Sequence, residues 1–380
     1  MEKDNRRSRQ EMQKNRMIFL IILVAAVAVL LILVLLLGRN QKFNMSFGRR
    51  QPVTADDGEN DQPADGTYSI GDPEDAENGS GSAAGDPADD AAATSDDSST
   101  GLITYNGKKY RYNDHLSNYL LLGIDQSGDI DAEYRPVTAG QSDFLMLVVY
   151  DRKEETAEVI SIPRETMTEI IIYNGKGTEI GPWNAQITLQ YAYGKGGRDS
   201  CELTRNAVSK LLFEMPVNGY AAINVDAIGK LVDAIGGVEV TLKDDALAEV
   251  NADWVAGATV SVTGENAERF VRYRDIDVAY SSMGRLDRQI NLINVMTEKM
   301  LAMQKEDPHT ITDLYETMKP QMVTNMTNDV FLDVATAKRT GAIRVLPGEI
   351  THGAQNHDEY HVDDKALYEL ILDVFYTEQE

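Results

Sequence analysis

Tyr119-Leu-Leu-Leu-Gly123, Phe144-Leu-Met-Leu-Val-Val-Tyr150 and Ala157-Glu-Val-Ile-Ser-Ile162 are three short apolar runs with turn-rich flanks. Each has the length of a strand buried in a sheet. Only the polar stretch Asp151–Thr156 separates the last two, a connection short enough to return the chain antiparallel beside itself. If the first two runs also pair antiparallel, three chain ends meet on one edge. Those ends carry Asp125, Asp143 and Arg164. Two carboxylates of this kind can hold a hard cation such as Mg2+, which keeps waters and favours oxygen donors beside phosphates. They can equally be turn or capping aspartates. Pro163 stops the third strand and sets the backbone ahead of Arg164; a salt bridge to Glu165 or to a neighbouring strand is the alternative use of that arginine.

Outward from this centre, Ile103–Tyr105 and Lys108–Tyr112 flank Asn106-Gly107, the signature of a tight hairpin. Ser200–Leu212 is predicted as a helix and Tyr220–Val225 as a strand. Asp226 is expected to cap a helix over Ala227–Ile235, closed by Gly236-Gly237 and followed by a strand over Val238–Leu242. Gly264–Phe270 is predicted as a helical turn. Arg285–Met303 carries Leu286, Ile290, Ile293, Met296 and Met300 on one face of a long helix. Asp329–Thr340 and Asp364–Tyr376 fit two more helices. Strands interspersed with helices indicate a layered α/β domain with a mixed sheet.

The whole chain has 380 residues and a formal net charge of −25. Against that background Arg272-Tyr273-Arg274 and Arg285-Leu286-Asp287-Arg288-Gln289 stand out. Guanidinium forks two hydrogen bonds onto phosphate or carboxylate oxygens, so the group can grip an anion, a diphosphate included. Solvated pairs with Asp275, Asp277 and Asp287 are the plainer reading. Arg285, Arg288 and Gln289 share one helix face, and a helix beginning at Arg285 places them in a first turn whose free N–H groups favour an anion. Arg272 and Arg274 point the same way if their segment is extended.

The N-terminal part takes no share in this domain. Met17–Leu37 holds no charged residue and at about 1.5 Å per residue would span roughly 30 Å, the thickness of a bilayer core. Basic residues precede it and no cleavage site follows. The expected organisation is a cytoplasmic tail (1–16), a membrane anchor (17–37), a disordered acidic linker (38–100) and an extracytoplasmic domain (101–380). Residues 51–100 lack Lys and Arg and nearly lack large apolar side chains, so they cannot offset the entropy of ordering. Neither nucleic acid nor anionic lipid finds a basic face to neutralise. The single cysteine, Cys201, excludes an intramolecular disulfide and suits a bacterial cell surface. His352, His357 and His361, with Asp358 and Asp363, fit a solvated loop rather than a zinc site. Gly194-Lys195-Gly196-Gly197-Arg198 fits a turn rather than a nucleotide loop.

The ordered set Asn118–Asp125, Ser142-Asp143, Ser161-Ile-Pro-Arg164, Val232–Val238, Val271–Arg274 and Gly284–Gln289 resembles the LytR-CpsA-Psr family of cell-envelope proteins. These core motifs lie within 115–295, ahead of an expected C-terminal helical extension (300–380). The resemblance implies an α/β/α domain with a central mixed β-sheet enclosing a lipid tail. It implies transfer of a glycopolymer from a polyprenyl-pyrophosphate carrier to peptidoglycan at the cytoplasmic membrane, assisted by Mg2+ (or Mn2+), with a pyrophosphatase side activity. An activated sugar hydroxyl would attack at the anomeric carbon. Asp125, Asp143 and Arg164 would be catalytic, the two aspartates holding metal. Arg164, Arg272, Arg274, Arg285, Arg288 and Gln289 would grip the pyrophosphate. The chain departs from the family's usual pattern at Gln141, Glu165, Gln186, Thr188 and Ser282. A catalytically weakened binding or scaffold protein on the same fold is therefore the rival reading. A transcriptional regulator is disfavoured, because no helix-turn-helix or basic patch is visible.

Overall fold

The computed structural model describes residues 95–97 and 102–379, apart from 137, 175, 276, 277, 279 and 354–356. The expected tail and anchor lie outside the described residues, as does all of the expected linker but Ser95–Asp97. No described helix is long and apolar enough to cross a membrane.

The three apolar runs form the middle of a mixed sheet. Leu116–Ile124 pairs antiparallel with Ser142–Asp151, which pairs antiparallel with Thr156–Ile162. Gly219–Asn224 lies parallel on the other side of the first strand, and Met322–Thr324 closes that edge antiparallel. Lys338–Arg339 and Arg344–Val345 add parallel to Thr156–Ile162. Residues 300–380 are thus not only helical; they supply strands to both edges of the sheet.

Alternation sorts the side chains of the central strands onto two faces. Leu120 and Leu122 stand opposite Leu147 and Leu145, and all four are buried. On the opposite face Tyr119, Tyr150 and Ala221 cluster with Met326, and the helix Asn328–Thr336 packs Val330, Phe331 and Val334 against them. The helices Leu189–Tyr193 and Gly197–Leu211 pack on Ser142–Asp151 and Gly219–Asn224.

A second core positions the arginine-bearing segments. The hairpin Val238–Thr241/Thr259–Val262 packs with the helices Val225–Ala234, Ala267–Arg272 and Ser281–Glu306 through Val232, Val240, Val262, Phe270, Leu292 and Met296. Gly236 and Gly237, both near φ +70°, close the first of these helices in the left-handed conformation that suits glycine.

Several elements differ from expectation. Ser95–Asp97, assigned to the linker, pairs with Leu102–Thr104; a strand edge recruits backbone whatever its side chains. The helix after Gly219–Asn224 starts at Val225 behind Asn224, and the Asp226 carboxylate instead accepts from the Gly128 amide at 2.8 Å. The long helix begins at Ser281, one turn before Arg285, so Arg285, Arg288 and Gln289 are not in its first turn. Arg272 ends the helix Ala267–Arg272 rather than lying on an extended segment. Met167–Tyr173 with Glu179–Gln186, and Gly348–His352 with Asp358–Val362, are hairpins, and the second replaces the expected solvated histidine loop.

Leu120 has no exposed surface. Leu120→Ala is expected to cost about 2–5 kcal/mol, measured by chemical denaturation; a loss below about 1 kcal/mol would place this strand outside the main core.

Candidate active site

Strand register brings the three rim residues together. Leu145 stands opposite Ile162, so continuing the pairing by two residues sets Asp143 opposite Arg164. A bulge after Gly123 lets the Asp125 amide donate to the Gln141 carbonyl at 3.0 Å, while the Gln141 amide donates to Asp125 Oδ1 at 2.5 Å. Arg164 donates through Nη1 to Asp143 and through Nη2 to Gln141 Oε1 at 2.9 Å. The main chain of Thr188 donates to the Arg164 carbonyl, and that of Ser142 to the Thr188 carbonyl, which ties 186–188 beneath the rim.

Arg285 reaches the same place from the long helix. It is almost fully buried, with Nη1 3.8 Å from Asp143 and Nη2 donating to Glu165 at 3.3 Å. Burial pushes Arg285 down to about 10, helped by Arg164 and Arg274 and opposed by Asp143 and Glu165. The guanidinium stays charged at neutral pH, yet its two carboxylates do not fully offset its surroundings. Asp125 is displaced in the opposite sense. Burial raises its carboxyl above the ordinary range and Asp143 adds to this, against the Gln141 amide, Arg164 and Arg272. Two opposed demands therefore adjoin, both set first by burial: an anion would favour the charge of Arg285, and a cation that of Asp125. The buried Nε atoms of Arg164 and Arg285 also lack a hydrogen-bond acceptor.

Arg274 is half-buried and lies 4.0 Å from Asp358. Arg272 pairs with Glu268 at the surface and still acts on Asp125. Arg288 and Gln289 do something else. Arg288 donates from Nε to the Phe270 carbonyl at 2.7 Å and from Nη2 to that of Tyr273, and Gln289 donates to that of Val271. Both spend these donors on the last turn of Ala267–Arg272, holding the segment that presents Arg272 and Arg274.

Two further carboxylates join the site, Glu165 as the salt-bridge partner that its place beside Arg164 offered and Asp358 from a stretch read as a solvated loop. Glu165 is buried between Arg164 and Arg285, and Asp358 arrives from the C-terminal hairpin. Among the described residues no group of three or more His, Cys, Asp or Glu could hold a metal. Asp125 and Asp143 supply two carboxylates to one ion, a donor set Mg2+ accepts when phosphate and water complete its shell. Cys201 is buried with its thiol pushed up by burial, which makes it inert. The Gly194–Arg198 stretch turns into the helix Gly197–Leu211.

A LytR_cpsA_psr family model matches residues 82–370. A polyisoprenyl-teichoic acid–peptidoglycan teichoic acid transferase TagU of Bacillus cereus (strain AH820) is 29% identical over 256 residues, spanning 66% of this chain and 75% of that protein. Among solved structures, B. subtilis TagV superposes with a TM-score of 0.52 at 21% identity, covering 69% of this chain and 96% of the other. A Streptococcus agalactiae protein superposes with a TM-score of 0.54 at 22% identity, covering 68% and 86%. These two share the fold.

Because the folded Asp125 carboxyl holds its proton more tightly than the unfolded one, its ionisation opposes folding, and stability falls as pH rises above the unfolded value of about 3.9. Asp125→Asn keeps an acceptor for the Gln141 amide and is expected to raise Tm at pH 7, the gain vanishing below about pH 4. A lower Tm than wild type at pH 7 would contradict the assignment. Arg288→Met strands buried carbonyls and is expected to cost about 1–3 kcal/mol of stability; an undiminished Tm with lost ligand binding would instead make Arg288 a contact residue.

Proposed function

The chain belongs to the LytR-CpsA-Psr family, and we propose that it is a membrane-anchored transferase moving a glycopolymer from a polyprenyl-pyrophosphate carrier to peptidoglycan. The observation that carries this reading is the pair of opposed electrostatic demands on one rim. Arg285 is buried beside Arg164 with Asp143 and Glu165 against them, Arg274 stands near Asp358, and burial disfavours the charge of Arg285 as it disfavours that of Asp125. A diphosphate is opposite in charge to these guanidinium groups, and arginine matches its oxygens in geometry. The TagU relative supports the class of donor and acceptor.

Asp125 and Asp143 are the residues that would hold Mg2+ or Mn2+. The ion would supply neutralisation of charge on the diphosphate. Counting Arg164, Arg272, Arg274 and Arg285 against Asp125, Asp143, Glu165 and Asp358 leaves these eight side chains balanced when all are ionised, so a bound cation is needed to give the rim a net attraction for an anion.

The chain's own residues do the following. Arg164 and Arg285 hold the diphosphate oxygens and stabilise charge that grows on the departing lipid phosphate, the electrostatic contribution that usually dominates such reactions. Asp143 keeps both guanidinium groups in place. An acceptor hydroxyl attacks the phosphorus that bears the glycopolymer; the bond from that phosphorus to the bridging oxygen breaks. A phosphodiester forms, polyprenyl phosphate leaves, and the hydroxyl proton ends on it. Attack at the anomeric carbon, expected above, would release polyprenyl pyrophosphate instead and does not fit a phosphoryl-transfer site. Residues 1–16 would remain in the cytoplasm, 17–37 would anchor the chain and the acidic stretch would hold the domain off the membrane.

The test is incubation of the detergent-solubilised full chain with a polyprenyl-pyrophosphate saccharide and peptidoglycan, with and without Mg2+. Release of polyprenyl phosphate is expected, and Asp143→Ala is expected to lower its rate by about 10²–10³-fold. Tight lipid binding without turnover would sink the transferase and leave a scaffold.

A further inference from the structure

Asp358 lies 73 residues beyond Arg285 in the chain, in a stretch read from sequence as a solvated loop, yet it is buried against that site. Its carboxylate accepts from the Tyr280 amide at 3.1 Å, from Ser282 Oγ at 2.8 Å and from His352 Nδ1 at 3.5 Å. Arg274 lies 4.0 Å away. Burial alone would raise this carboxyl, but the bonds from Ser282, Tyr280 and His352 outweigh it and hold the group below its ordinary range. Asp358 is therefore a fixed anion at neutral pH.

Its partners are informative. Tyr280 precedes the long helix in the left-handed conformation, φ +63°, which a non-glycine residue keeps only where its surroundings impose it. Ser282 lies in the first turn of that helix, where a carboxylate is favoured by the helix dipole. Asp358 thus fixes the start of the helix that carries Arg285, and the oxygen that accepts from Ser282 is also the one nearest Arg274. The same strand also grips the floor of the site: Gln186 donates to the Asp358 carbonyl at 2.7 Å, and the Tyr360 amide donates to the Glu165 carbonyl at 2.9 Å.

We propose that Asp358, delivered by the hairpin Gly348–His352/Asp358–Val362, is a positioning residue that sets the spacing of Arg274 and Arg285 for the diphosphate. This rests on the proposed function. A buried Ser282 hydroxyl hydrogen-bonded to the carboxylate implies a stricter form of the idea. One carboxylate is required in that space, and it can be supplied from position 282 as well as from position 358. Asp358→Ser empties the space, and Ser282→Asp returns a carboxylate to it from the helix itself.

The experiment compares wild type, Asp358→Asn, Asp358→Ser and the double variant Asp358→Ser/Ser282→Asp as full chains in detergent. Three readouts are taken: affinity for a polyprenyl-pyrophosphate saccharide, kcat and KM for release of polyprenyl phosphate, and Tm. Misplacing the arginines is expected to lower affinity and kcat/KM about ten- to hundredfold in both single variants. The double variant is expected to recover at least about tenfold of that loss. Wild-type affinity and kcat/KM in Asp358→Asn would overturn the proposal. So would a double variant that regains Tm without regaining affinity, since Asp358 would then only stabilise the fold. If wild type binds without turnover, the transferase reading fails while the affinity arm still decides the role of Asp358. If wild type does not bind the lipid, both fall.

Discussion

The structure turns on a buried guanidinium. Arg285 sits between the carboxylates of Asp143 and Glu165 with Arg164 beside it, and the elements that bring these four together are those that define the fold. Asp143 opens one central strand, Arg164 and Glu165 follow the next, and Arg285 hangs from a helix belonging to the second core. Breaking one member of such a buried set leaves an uncompensated charge, at a cost of about 3–5 kcal/mol. The sheet and the helix are therefore held to one another through the site, and distortion of either is felt there first.

Around this centre the charges are arranged in two neighbourhoods. On the sheet rim Asp143 adds to the burial that raises the Asp125 carboxyl, and Arg164 stands beside them; Arg274 and Arg285 face this rim from the segments packed on the second core. The two balance in formal charge, while burial still disfavours the charged forms of Asp125 and Arg285. A ligand carrying both signs, such as a diphosphate with a divalent cation, satisfies both at once, whereas a simple anion satisfies one. Arg288 and Gln289 stand outside this exchange. Their donors are spent on main-chain carbonyls, so they act as struts for the neighbouring arginines.

The rim was legible in the sequence for a simple reason. Three apolar runs joined by short polar connections have few ways to pair, and antiparallel pairing places residues 125, 143 and 164 on one edge with no tertiary information. The helix start was harder. Ser281 and Ser282 tolerate either a loop or a first turn, and the carboxylate that meets the Tyr280 amide and the Ser282 hydroxyl comes from far along the chain. Arg272 and Arg274 looked extended because nothing in Val271–Arg274 marks a helix end; packing of Phe270 in the second core carries the helix on to Arg272. Asp358 was hidden altogether. Its polar surroundings read as solvent-facing, and its partners at 274, 280 and 282 come from a different part of the chain. A buried carboxylate in a hairpin has no periodic signature of its own.

The most direct test of the account is a crystal structure of the protein bound to a polyprenyl-pyrophosphate saccharide with Mg2+. The account predicts both phosphates within hydrogen-bond reach of Arg164 and Arg285, with the cation touching Asp125 and Asp143. A diphosphate bound elsewhere, for instance on the turn at Lys195–Arg198, with the Arg285–Asp143–Glu165 set left untouched, would contradict it.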